Sequence, residues 1–126
     1  MEGQDLNCLA EAIYHEARGE SFSGQLYVGF VIRNRVESKY FPNDFCSVIK
    51  EPWQFSYNHV LNSFEMVDKK AKELAEQAAY MVLTVDKVPI SEHVFYYHTK
   101  DIKPNWDYQK IQEYTTIGNH IFYEVR

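Results

Sequence analysis

Ala12-Ile13-Tyr14-His15-Glu16-Ala17-Arg18-Gly19-Glu20 closes the first predicted helix, about residues 5–18, and the apolar face of that helix decides how the rest of the chain must pack. At about 100° per residue, Leu6, Leu9, Ala10, Ile13 and Ala17 fall on one stripe. Glu16 lies on the margin of that stripe beside Leu9 and Ile13, while Glu11 and His15 point roughly the other way. Gly19 supplies a helix stop. A carboxylate half-turned into an apolar face near a helix end is a candidate for a pKa raised by desolvation, which is what a general acid needs near neutral pH. A solvated glutamate that reaches out to water fits the same spacing, so periodicity alone leaves both open. His15-Glu16 begins like H-E-x-x-H, but the second ligand position is Gly19. His15 and Glu20 fall on different helix faces, so no metal site is read here.

The chain of 126 residues suits a single catalytic domain, 1–126, with one core. It is 45% hydrophobic and 16% aromatic, enough for a packed core with rings left over for a groove that stacks on sugars or bases. The formal net charge is −5 and the Lys and Arg residues are scattered, which argues against nucleic acid and against adsorption to an anionic membrane. Met1-Glu2-Gly3-Gln4-Asp5 is polar and acidic, with no long apolar run after it. Neither an export signal peptide nor a membrane-inserting helix is read, and the product is expected to be made in the cytoplasm and to need release. Cys8 and Cys46 lack CxxC spacing; two buried thiols and a single bridge are both open. No cofactor motif appears, and nothing demands more than a monomer.

After the turn Ser21-Phe22-Ser23-Gly24, Ser23 is expected to cap a second helix running to about Glu37. Its apolar residues, Leu26, Val28, Phe30, Val31, Ile32 and Val36, cover most of the circumference, as in a buried central helix. Pro42 breaks that helix, and Asn43 or Asp44 caps a short one through Ile49. Pro52-Trp53-Gln54-Phe55-Ser56-Tyr57-Asn58 interleaves rings with amides and a hydroxyl, a composition suited to carbohydrate and equally to plugging the core. A helix over about 65–85 carries the stripe Val67, Ala71, Leu74, Ala78, Met81, Val82 and Val85. Beyond Pro89 the period changes to two. Strands are predicted over 94–98, 114–117 and 120–125, the last two joined by a Gly118-Asn119 hairpin. That register sets Ile117 across from His120 and Thr115 across from Phe122. His98 and His120 read as hydrogen-bonded structural histidines at strand ends, and His59 and His93 as loop residues. The expected fold is α+β, mainly helical with a small three-stranded antiparallel sheet near the C-terminus.

Several of these stretches together resemble one family. Cys8 through Glu20, Gly24-Gln25 and Asn34-Arg35-Val36 are similar to the opening of the SleB/CwlJ-type cell-wall hydrolases, among them the spore cortex-lytic enzymes and related phage proteins. Phe41-Pro42, Cys46, Val48-Ile49, Gln54-Phe55-Ser56, Phe95 to His98, Pro104 with Trp106, and Ile117 through Tyr123 continue the likeness in order. The chain departs from the family's habit at Glu124, where a basic residue often stands, and at Tyr96-Tyr97-His98, where some members have His-Tyr-His. The resemblance implies cleavage of peptidoglycan glycan strands on a lysozyme/lytic-transglycosylase-like fold. It maps the family's catalytic acid onto Glu16 and the second glutamate of the segment onto Glu20.

Glycoside cleavage then starts with proton donation by Glu16. A muramidase needs a second carboxylate to activate water; Glu20, Asp44, Asp101 and Asp107 are the candidates, and none is placed by the sequence. One clear acid without a clear partner favours the lytic transglycosylase outcome. Gln54, Ser56, Tyr97 and His98 are expected to supply polar contacts, with Phe55 and Trp106 as stacking surfaces. A lone catalytic domain without an export signal resembles an endolysin used for cell lysis after release by a holin. A peptidoglycan amidase or peptidase and a non-catalytic peptidoglycan-binding module are the alternatives.

Overall fold

The computed structural model describes residues 3–51 and 66–126. The aromatic loop with Gln54, Phe55 and Ser56 lies outside the described residues, as does His59. Among the described residues four helices, α1 (Gly3–Ala17), α2 (Phe22–Glu37), α3 (Phe45–Lys50) and α4 (Lys69–Thr84), precede three strands, β1 (Val94–Thr99), β2 (Ile111–Ile117) and β3 (His120–Val125). The α+β architecture is the expected one. Among the described residues, no helix is long and apolar enough to cross a membrane.

Three helix starts share one device, a side-chain oxygen that takes the backbone N–H three residues on. Ser21 accepts from Gly24 at 3.1 Å, Asp44 from Ser47 at 2.9 Å and Asp68 from Ala71 at 3.1 Å. The cap of α2 is therefore Ser21 and not Ser23, which sits inside the first turn. At the other end of α1, Gly19 adopts φ +90°, a left-handed conformation that turns the chain out of the helix.

Helix α2 is the central post. Val28, Val31 and Ile32 are fully covered, and Leu9, Ile13 and Ala17 of α1 pack in the same core. A β-carbon on Gly29 would stand 2.7 Å from Val82 Cγ2 and 3.1 Å from Ile13 Cδ1, so only glycine lets α2 approach α1 and α4 this closely. The buried ridge of α4 is Ala75, Ala78, Ala79 and Val82. The predicted stripe was too bulky: Val67 precedes the helix and is 73% exposed, and Met81 is 43% exposed. Small side chains win those inward positions because the neighbouring helices leave no room for larger ones.

The polar residues of α2 act as long-range staples. Arg33 Nη1 donates to the carbonyls of Val82 (2.8 Å) and Val85 (2.7 Å), and Nη2 to Asp86 (3.0 Å), satisfying carbonyls left open at the end of α4. Asn34 Nδ2 donates to the carbonyls of Ser91 (2.9 Å) and Val94 (3.1 Å). Arg35 grips the Phe95 carbonyl through Nε (2.8 Å) and Nη2 (2.6 Å). A disulfide between Cys8 and Cys46 ties α1 to α3, with the Cα atoms 5.4 Å apart, which decides between the two open readings of the cysteines. Closing a loop of 38 residues is worth about 4 kcal/mol on the chain-entropy model.

The sheet is antiparallel throughout, in the order β1-β3-β2. The hairpin register is the one expected, Ile117 opposite His120 and Thr115 opposite Phe122, with Gly118 at φ +56° in the turn. Strand β2 begins at Ile111, earlier than predicted, because a shift of register at Tyr114 interrupts the alternation that marks a strand in sequence. One face of the sheet turns inward, bringing Val94, Tyr97, His120 and Phe122 toward the helices. The other carries Tyr96, His98 and Tyr123.

Candidate active site

Glu16 lies in the last turn of α1, half-buried, with its stripe neighbours Ile13 and Ala17 fully covered. Across the gap to the sheet, the Tyr97 hydroxyl donates to Glu16 Oε1 at 2.9 Å. Alternation along β1 puts the Tyr97 ring on the inner face, edge-on to His120 (centroids 5.2 Å) and tilted against Phe122 (5.7 Å). The phenol is thus packed from one side and aimed from the other.

Arg35 completes the charge pattern. Burial pulls its guanidinium below the ordinary value, opposed by Tyr97, Tyr96, Glu51 and Glu16, which favour the cation. The same side chain is held by the Phe95 carbonyl and stands over the rings of Phe41 (5.2 Å) and Tyr96 (5.6 Å). Its charge is fixed in place by β1, the strand that also carries Tyr97. Sequence reading missed this role. The available signal was an arginine on a helix that is apolar nearly all round, where a charge must find a partner.

Glu20 goes elsewhere. Its Oε1 accepts the backbone N–H of Asn119 at 3.0 Å and lies 4.0 Å from His120 Nδ1. A β-carbon on Gly118 would collide with that same oxygen, so the hairpin tip is shaped to receive Glu20. His120 is 2% exposed, and among the described residues its Nδ1 has no hydrogen-bond partner. Burial pulls the imidazole below its ordinary value, against the pull of Glu20 in the other direction.

The remaining carboxylates considered for water activation have other employment or none. Asp44 caps α3, accepting from the Ser47 N–H (2.9 Å) and hydroxyl (2.8 Å), and those bonds hold its carboxyl below the usual range. Asp107 accepts from the Gln109 N–H at 3.1 Å in a surface turn, and Asp101 is exposed. Among the described residues, no group of three or more His, Cys, Asp or Glu is arranged to hold a metal ion.

His98 and Trp106, expected as a polar contact and a stacking surface, meet each other on the face of β1 opposite Tyr97. Neighbouring residues on a strand face opposite ways, so Tyr97 inward means His98 outward. His98 bonds through both ring nitrogens: Nδ1 to the Thr99 carbonyl (2.7 Å) and Nε2 to the Tyr123 hydroxyl (2.9 Å). A carbonyl can only accept, so Nδ1 carries the proton and Nε2 takes the Tyr123 O–H. Its ring stacks on Tyr123 and meets Trp106 edge-on at 5.5 Å. Trp106 also contacts Tyr96, Tyr108 and Tyr123. This is an aromatic cover on the outer face of the sheet.

Residues 19–123 match the family described as Cell Wall Hydrolase. The spore cortex-lytic enzyme of Bacillus subtilis is 33% identical over 98% of this chain, and that of Halalkalibacterium halodurans 30% identical over 94%. The chain spans 39% and 34% of the lengths of these two relatives. Among solved structures, the catalytic domain of the germination-specific lytic transglycosylase SleB from Bacillus anthracis superposes with a TM-score of 0.74 at 30% identity, covering 97% of this chain and 95% of that one. The catalytic domain of the Bacillus cereus SleB protein gives 0.69 at 30% identity, covering 96% and 90%.

Proposed function

This chain belongs to the cell wall hydrolase family, and from that premise we propose that it cleaves peptidoglycan glycan strands between N-acetylmuramic acid and N-acetylglucosamine, with Glu16 as general acid and base. The observation that carries the reading is the Tyr97–Glu16 hydrogen bond: a half-buried helix-end carboxyl is met by a fixed donor from the sheet. The B. anthracis relative, described as a lytic transglycosylase, supports the same chemistry.

In the first step the Glu16 carboxyl gives its proton to the glycosidic oxygen as the bond from the muramyl C1 breaks and positive charge spreads over C1 and the ring oxygen. Glu16 is left as a carboxylate, and the Tyr97 hydroxyl stabilises that anion by a charge-assisted hydrogen bond. The ionised Glu16 then takes the proton of the muramyl C6 hydroxyl while O6 bonds to C1. A 1,6-anhydro end forms, the acid is regenerated and no water is consumed. An inverting muramidase would hold a water on a second carboxylate some 6.5–9.5 Å from the acid. Glu20 is engaged by the hairpin, Asp44 by a cap and Asp107 by a turn, and these engagements favour the transglycosylase outcome. The reading uses one copy of the chain and no cofactor. Gln54, Phe55 and Ser56 remain proposed sugar contacts.

The test is mass spectrometry of soluble products from purified sacculi treated with wild type and with Glu16→Gln. Anhydromuramyl ends that vanish in the variant are expected. Reducing ends carrying water's oxygen would make the enzyme a muramidase, and intact glycan with cut peptides would overturn the proposal.

A further inference from the structure

Glu20 sits four residues beyond Glu16, yet its carboxylate is directed at the hairpin between β2 and β3. Three independent features meet there. The Asn119 N–H donates to Glu20 Oε1 at 3.0 Å, Gly118 leaves space that any β-carbon would fill, and the Nδ1 of buried His120 lies 4.0 Å from the same oxygen. From His120 the contact runs on: its ring is edge-on to Tyr97, and Tyr97 holds Glu16. The hairpin also abuts the start of α2, where Gly24 lies under Glu20 and Ile117.

We propose that Glu20 is a positioning residue that latches the β2–β3 hairpin to the α1–α2 turn, so that His120 fixes the ring of Tyr97 against Glu16. This rests on the reading of Glu16 as the acid, and it removes Glu20 from the candidates for a water-activating carboxylate. A latch of this kind needs an oxygen that accepts from Asn119; it does not need a negative charge. A catalytic base needs the charge. Glutamine keeps the oxygen and loses the charge, so one substitution separates the two roles.

The experiment compares wild type, Glu20→Gln, Glu20→Ala and Glu16→Gln of the full chain. Initial rates of muropeptide release are measured against sacculus concentration, and hydrogen exchange of the Asn119 amide is followed by NMR without substrate. Glu20→Gln is expected to keep both the rate and the Asn119 protection within about threefold of wild type, because the acceptor survives. Glu20→Ala is expected to lose about tenfold in Asn119 protection and a similar factor in kcat, with KM unchanged, the scale of one lost charge-assisted hydrogen bond. If the alanine variant does not fold, the glutamine variant alone decides. A Glu20→Gln enzyme as inactive as Glu16→Gln with Asn119 still protected would overturn the proposal in favour of a catalytic carboxylate. A folded Glu20→Ala enzyme with wild-type rates would overturn it as well. Activity in Glu16→Gln would instead defeat the general-acid reading, and the Asn119 measurement would still report on the latch.

Discussion

Replacing Gly29 by alanine sets two known effects against each other at one buried position. In a helix interior the change from glycine to alanine is worth about 1 kcal/mol of propensity. Against it, the new methyl would stand 2.7 Å from Val82 Cγ2, and Val82 is a fully buried, β-branched residue with little rotamer freedom. Overpacking of this kind costs about 1–3 kcal/mol, so a net loss of about 1 kcal/mol is expected. The clash can be removed from the partner's side. Val82→Ala alone should cost about 2 kcal/mol for the lost methyl groups and the void. In the double variant the remaining Val82 Cβ lies at an ordinary 3.5 Å from the new methyl, and the tight contact left, Ile13 Cδ1 at 3.1 Å, is the tip of a longer chain. The pair should therefore lose about 1 kcal/mol in total where additivity predicts about 3, a coupling of about 2 kcal/mol. Urea unfolding of the four proteins at constant m-value measures this directly. A Gly29→Ala variant stabilised by its full helix propensity, or an additive cycle, would refute the close-approach argument.

Two further outcomes are expected. Tyr97→Phe removes a donor that favours the ionised form of Glu16, so the alkaline limb of the pH–rate profile, where the proposed acid loses its proton, should move to higher pH. Initial rates on sacculi across pH check this, and an unmoved or lowered limb contradicts it. His120 is held by burial below its ordinary 6.5, so the unfolded chain takes up its proton first as pH falls. Stability should decline from pH 6.5 downward until the folded imidazole also titrates, and His120→Gln should flatten that part of the curve. Unfolding midpoints from pH 7.5 to 5 give the answer; an unchanged slope in the variant would remove His120 as the cause.

Glu16 was visible because a 3.6-residue period places it beside Ile13 whatever the tertiary structure does. The hairpin and its register were visible because Gly118-Asn119 is a local signal. The two faces of β1 were also legible in principle, since a period of two forbids Tyr97 and His98 from sharing a side. The cap of α2 was misjudged by two residues because Ser21 and Ser23 offer the same hydroxyl, and only the backbone turn after Gly19 selects between them. The role of Arg35 could not be read locally. Its anchor, the Phe95 carbonyl, is 60 residues away, and backbone acceptors leave no trace in a side-chain pattern.

The strand order has a consequence for how the molecule comes into being. Strand β3 is made last of the three and lies in the middle, so β1 and β2 have no partner in the sheet until it arrives. His120 and Phe122, the rings that seat Tyr97, belong to that strand. On a ribosome delivering some 5–20 residues per second, the helices can collapse while the tyrosine is still unplaced. A Tyr97–Glu16 pair seated by the last strand of its sheet stays incomplete throughout the synthesis of everything before it.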